Sequence, residues 1–101
     1  MLSMEIRKND LIVTLFGDLD HNAAEGMRSS LDEQLRDKQI KRLIFDMHGV
    51  DFMDSSGIGM LLGRYKIMDR KGGSVAVIGV GKRVDRIFEM AGLYRLIDKL
   101  A

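Results

Sequence analysis

Residues 43–63 read Leu43-Ile44-Phe45-Asp46-Met47-His48-Gly49-Val50-Asp51-Phe52-Met53-Asp54-Ser55-Ser56-Gly57-Ile58-Gly59-Met60-Leu61-Leu62-Gly63, and two periodicities meet inside this stretch. Leu43-Ile44-Phe45 is a short apolar run without alternation, the pattern of a central strand covered on both faces by helices. Further on, Ile58, Leu61, Leu62 and Tyr65 recur at i, i+3, i+4 and i+7, and Gly72-Gly73 supplies a stop signal. The stretch therefore predicts a buried strand, a polar loop, and a helix that starts near Ser55 and Ser56.

The flanking segments extend this alternation in both directions. Leu2, Met4 and Ile6 alternate with polar residues, Lys8-Asn9-Asp10 interrupts, and the apolar run Leu11 to Phe16 follows, which predicts a hairpin with a tight turn. Ala24, Met27, Leu31 and Leu35 take helical spacing, and Asn22 with Glu25 three residues later resembles a capping box. A first helix is expected from about Ala23 to Lys38. Val75 to Val80 reads as a further buried strand. Val84, Ile87, Phe88 and Ala91 then repeat the helical spacing before Gly92. Leu93 to Ala101 stays open between a short strand and a frayed tail. Strands alternating with helices after an opening hairpin predict an α/β fold, with helices packed on a mixed sheet whose later strands are parallel through right-handed crossovers.

Composition bounds the function. A chain of 101 residues with 46% apolar content can bury one core, so one domain spanning 1–101 is expected. Sixteen Lys and Arg against fifteen Asp and Glu leave a formal charge of +1, which exerts no global pull on nucleic acid or anionic membrane. The absence of cysteine removes thiolate chemistry and Cys-ligated metals. No apolar run approaches the ~20 residues that span a bilayer, and Met1-Leu2-Ser3-Met4-Glu5 lacks the regions of a signal peptide. The expectation is a cytoplasmic protein that recognises its partner locally, with no direct nucleic acid or membrane contact, no cofactor and no metal.

The loop Phe52 to Gly59 is the most informative candidate, because ligands and partners of an open α/β sheet are met beyond the carboxyl ends of its strands. Asp54, Ser55 and Ser56 are also favoured N-cap types, so capping alone could account for them. Both roles are compatible: a phosphoserine there would gain from free N–H groups and the helix dipole while changing what a partner meets. Gly57, Gly59 and Gly63 miss the dinucleotide spacing by one, and Arg64 stands where a phosphate loop needs Lys-Ser/Thr. Packing of a helix on the sheet is the better account of these glycines, and Gly79-Val80-Gly81-Lys82 is a weaker phosphate candidate still. A hydrolase built on Ser55 with His21 or His48 lacks the glycine that a nucleophile elbow places two residues before its serine. Asp18 and Asp20, ahead of the first helix, read as complements to its dipole. Lys82, Arg83, Arg86, Arg95 and Lys99 are diluted by Asp85, Glu89 and Asp98, as on a solvated face. Most of the eight methionines read as core filler.

Phe52 to Gly59 followed by Leu62-Gly63-Arg64-Tyr65-Lys66 resembles the anti-sigma factor antagonists, a bacterial family of STAS domains. Gly17-Asp18-Leu19-Asp20-His21 is similar to that family's Gly-x-Leu-Asp segment, and Phe88-Glu89-Met90-Ala91-Gly92-Leu93 to its late helix. The Ser-Ser form with Gly-Arg-Tyr-Lys resembles the sporulation branch; stress-response antagonists more often carry Thr after the first serine. The resemblance implies a partner switch rather than an enzyme. The unphosphorylated protein would bind an anti-sigma factor that is also an ATP- or ADP-bound serine kinase, and phosphorylation of Ser55 would end binding until a serine phosphatase reverses it. It implies a partner surface of Asp20, His21, Asn22, Asp54, Ser55, Ser56, Gly57 and Ile58, with Asp20 facing a basic group of the kinase. Family members usually continue through a further C-terminal helix, so the resemblance implies a last helix that is shortened or trimmed at Ala101.

Overall fold

The computed structural model describes residues 2–101. The chain runs β1 (Leu2–Arg7), β2 (Asp10–Phe16), α1 (His21–Gln34), β3 (Arg42–Gly49), α2 (Ser55–Arg70), β4 (Ser74–Ile78), α3 (Lys82–Met90), a 3-10 turn (Leu93–Arg95) and β5 (Asp98–Lys99). One mixed sheet carries the strands in the order β1-β2-β3-β4-β5. β1 and β2 form the expected antiparallel hairpin, and β2 through β5 are parallel. The tail is neither a plain strand nor frayed: Leu93 is buried in the 3-10 turn and β5 adds two residues to the sheet edge.

Three successive crossovers step across the sheet in one direction, and right-handed crossovers that do so place their helices on a single face. The core follows from this. Leu11, Val13 and Leu15 of β2, Leu43, Phe45 and Met47 of β3, and Val75 and Val77 of β4 join Ala24, Met27 and Leu31 of α1, Met60, Leu61 and Met68 of α2, and Val84 and Phe88 of α3. The expectation that β3 is covered on both faces is thus corrected. Ile44 points to the face without helices, where its in-register neighbours Ile12 and Ala76 flank it and leave it 7% exposed.

Helix bounds also differ from the sequence expectation. α1 begins two residues earlier than Ala23, because Asp20 rather than Asn22 is the N-cap, its carboxylate accepting from Ala23 N at 3.0 Å. It ends at Gln34 rather than Lys38, where the Lys71 ammonium donates to the carbonyls of Leu35 and Asp37, both at 2.8 Å. α2 buries Gly57, Met60, Leu61, Arg64 and Met68, while Ile58, Leu62 and Tyr65 lie at the margin of that face. β4 stops at Ile78, short of Val80.

Candidate functional site

The loops before α1 and α2 leave adjacent parallel strands and are tied to each other by backbone. Gly17 N donates to Gly49 O and Leu19 N to Phe52 O, both at 2.9 Å, and Asp54 N donates to Leu19 O at 3.3 Å. Leu19 and Met53 pair as an isolated parallel bridge, and both side chains are buried in the core. Each loop is therefore anchored by one apolar residue two positions before its helix. A Cβ on Gly57 would lie 2.5 Å from Leu19 O and 2.9 Å from Leu19 Cβ, so the first turn of α2 packs on this bridge only as glycine. Gly59 and Gly63 have open space beyond their Cα atoms, which corrects the expectation that all three glycines serve packing.

Side by side at this junction stand two helix N-termini, each equivalent to roughly half a positive charge. Asp54 caps α2, its Oδ1 accepting from Ser56 N at 2.8 Å and Gly57 N at 3.1 Å. These two amides are already occupied, which corrects the expectation that they are free for a phosphate; a phosphate on Ser55 would instead sit beside the Asp54 carboxylate. Ser55 is exposed and Ser56 half-buried. His21 Nδ1 lies 3.4 Å from Ser56 Oγ, linking α1 to α2. Asp20, His21 and Asn22 are exposed, Asp54 and Ile58 are half-buried, and Gly57 is buried. The structure thus brings together all eight residues assigned to the partner surface, Gly57 acting from beneath it.

Among the described hydrogen bonds, His21 reaches Ser56 rather than Ser55. His48 pairs with Asp46 at 2.6 Å, and its ring packs on Gly79, where a Cβ would fall 2.2 Å from His48 Nδ1. That packing also explains Gly79 without any phosphate. A shallow open groove of about 420 Å³ runs from Asn22 between β1 and α1, lined by Leu2, Ala23, Gly26, Met27 and Ser30. It has no charged lining residue to fix a small ligand.

Sequence reading missed three contributors. Phe16 and Phe52 flank the loops and are large apolar side chains left exposed; Phe16 reads as part of an apolar strand and Phe52 as the start of the polar loop, neither as an exposed contact. Arg64 lies on the buried side of α2, 7% exposed, with Nε 3.0 Å from Asp32 Oδ1 of α1. The two groups are close but poorly aligned for a hydrogen bond, and Arg64 Nη1 has no partner among the described residues. Burial pushes the Arg64 pKa down, against the opposing pull of the Asp32 charge.

A mixed five-stranded sheet with helices on one face is the architecture of a STAS domain, and the family model for that domain matches residues 1–101. The chain belongs to the STAS domain family. It is 38% identical over 96 residues to the anti-sigma F factor antagonist of Paenibacillus polymyxa, covering 95% of this chain and 82% of that protein. It is 32% identical over 94 residues to the anti-sigma-B factor antagonist of Bacillus subtilis (strain 168), covering 90% and 82%. Among solved structures, the unphosphorylated anti-sigma factor antagonist SpoIIAA is 25% identical, with a TM-score of 0.75 and coverage of 89% of this chain and 83% of that one. A STAS domain protein of Planctomyces limnophilus shares the fold at a TM-score of 0.90 with 16% identity, covering 99% and 88%.

Proposed function

We propose that this protein is a cytoplasmic anti-sigma factor antagonist of the sporulation type, working as a partner switch. The unphosphorylated α1–α2 end docks on an anti-sigma factor that is also a serine kinase carrying ATP or ADP. Transfer of a phosphate to Ser55 ends the complex, and a serine phosphatase restores the binding form. Asp20, His21, Asn22, Asp54, Ser55, Ser56, Gly57 and Ile58 form the contact, with neither direct nucleic acid nor membrane contact. No helix of the described residues is long and apolar enough to cross a membrane.

The observation that carries this reading is the exposure of Ser55 on the first turn of α2, at a junction whose backbone is pinned on both sides. A modification there can alter the surface without unfolding what lies below. A phosphate adds about −1.5 to −2 charge, and charges ~4 Å apart interact by roughly 4 kcal/mol at an effective dielectric near 20. A net penalty of about 3 kcal/mol weakens binding more than a hundredfold. Asp20 suits a basic group on the partner, whereas the phosphate on Ser55 is penalised where the complex would desolvate it or bring it against an acidic group.

Calorimetric titration against a sporulation-type anti-sigma kinase tests the proposal. Ser55→Ala is expected to bind like the wild type and to resist switching, whereas Ser55→Asp binds more weakly. Equal affinity of wild type and Ser55→Asp would refute the switch. The 32% identity to an anti-sigma-B factor antagonist favours a second reading, a stress-response antagonist; tighter binding to a stress-response kinase than to a sporulation-type kinase would select it.

A further inference from the structure

We propose that His21 is a positioning residue that decides which of two adjacent serines receives the phosphate. This inference rests on the switch reading above. Ser55 and Ser56 are chemically identical hydroxyls on one helical turn, so chemistry alone does not choose between them. Their surroundings differ. Successive helix residues point about 100° apart, and Ser56 is directed toward the start of α1, where His21 Nδ1 stands 3.4 Å from its Oγ. Ser55 is exposed and has no such contact among the described hydrogen bonds.

Phosphoryl transfer brings the γ-phosphorus of ATP to about 3–3.5 Å from the attacking oxygen, in line with the leaving group. Serine Oγ then bonds to phosphorus, the bond from phosphorus to the ADP oxygen breaks, and the hydroxyl proton passes to a base on the kinase. At Ser56 the imidazole already occupies an approach at this distance, and the hydroxyl is engaged whichever tautomer His21 holds. Rotating the first turn to free Ser56 would break the two bonds from Ser56 N and Gly57 N to Asp54. Ser55 needs no such rearrangement. His21 is exposed at the first position of α1, so its replacement leaves core packing untouched.

The test incubates the full chain with ATP and a sporulation-type anti-sigma kinase, then locates phosphate by fragment-ion mass spectrometry of the peptide spanning Asp54 to Arg64. Wild type is expected to carry phosphate chiefly on Ser55 with a small share on Ser56, and Ser55→Ala to be modified only slowly, on Ser56. His21→Ala should raise the Ser56 share about tenfold, the ratio that one net hydrogen bond supplies, and Ser55→Ala/His21→Ala should be phosphorylated on Ser56. His21→Gln, which can still bond the hydroxyl, should restore the Ser55 preference, a rescue that a merely structural role would not give. Phosphate confined to Ser55 in His21→Ala, with none on the double variant, overturns the role of His21 and leaves the switch reading standing. An unmodified wild type beside a kinase active on its own substrate overturns both.

Discussion

The two ends of the α1–α2 pair are held together by different means. At the N-terminal end the tie is chiefly backbone, with the His21–Ser56 side-chain contact beside it: three interloop hydrogen bonds, the Leu19–Met53 bridge and the close approach of Gly57 to Leu19. The tie at the C-terminal end is made by side chains, with Arg64 against Asp32 and Lys71 on the carbonyls of Leu35 and Asp37 just past α1. Backbone ties leave side chains free for recognition, so Ser55, Asp20 and Asn22 can meet a partner while the chain beneath them stays fixed. Where side chains are spent on holding the helices, they are no longer available to a partner.

The largest effect should come from breaking the backbone tie. Gly57→Ala places a methyl 2.5 Å from Leu19 O, a backbone atom that cannot swing aside. Overpacking of this kind typically costs 1–3 kcal/mol or more, and about 3 kcal/mol is expected in urea unfolding, together with lost partner binding. An unchanged unfolding midpoint would mean that the junction is looser than its geometry. Breaking the side-chain tie should have a smaller effect, confined to stability. Asp32→Ala leaves Arg64 buried without its counter-charge. Loss of one partner from a fully buried pair costs about 3–5 kcal/mol, but Asp32 is 40% exposed, so about 2 kcal/mol is expected. Arg64→Met should recover most of that loss in the Asp32→Ala background, because it removes the unpaired charge. Partner affinity per folded molecule should be unaffected by either change.

How legible these two ends were in the sequence follows from what each is made of. The strand–loop–helix order, the hairpin and the buried positions of α1 came from apolar periodicity, which burial imposes directly. Placement of Asp20 beside Ser55 came from the family resemblance, since residues 35 apart carry no local signal of contact. Arg64 was hidden for a physical reason: a charged residue on the buried face breaks the apolar stripe, so the stripe was centred on Ile58 and Tyr65 instead of Gly57 and Arg64. The start of α1 was misplaced because Asp20 and Asn22 are equally good N-cap types. The bridge that pins Leu19 selects Asp20, and it is tertiary. Coverage of β3 on one face could not be read from Leu43-Ile44-Phe45, because in-register neighbours bury Ile44 as effectively as a helix would.

The smallest expected effect separates capping from recognition within the junction itself. Asp20 and Asp54 are the N-caps of α1 and α2, yet Asp20 accepts one amide and is exposed, whereas Asp54 accepts two and is half-buried. Replacing an N-cap Asp by Ala costs about 0.5–2 kcal/mol, so Asp54→Ala should fall near the top of that range and Asp20→Ala near the bottom. Asn caps helices about as well as Asp, which makes Asp20→Asn a probe of charge alone. Its unfolding midpoint should match the wild type. If Asp20 faces a basic group on the kinase, the same variant should bind more weakly and with a shallower dependence on salt, since a rim charge acts chiefly through the association rate and its screening. Titrations of wild type and Asp20→Asn at two ionic strengths provide the check. Identical affinities at low salt would confine Asp20 to capping and shift the recognition surface toward Ser55 and the exposed Phe16 and Phe52.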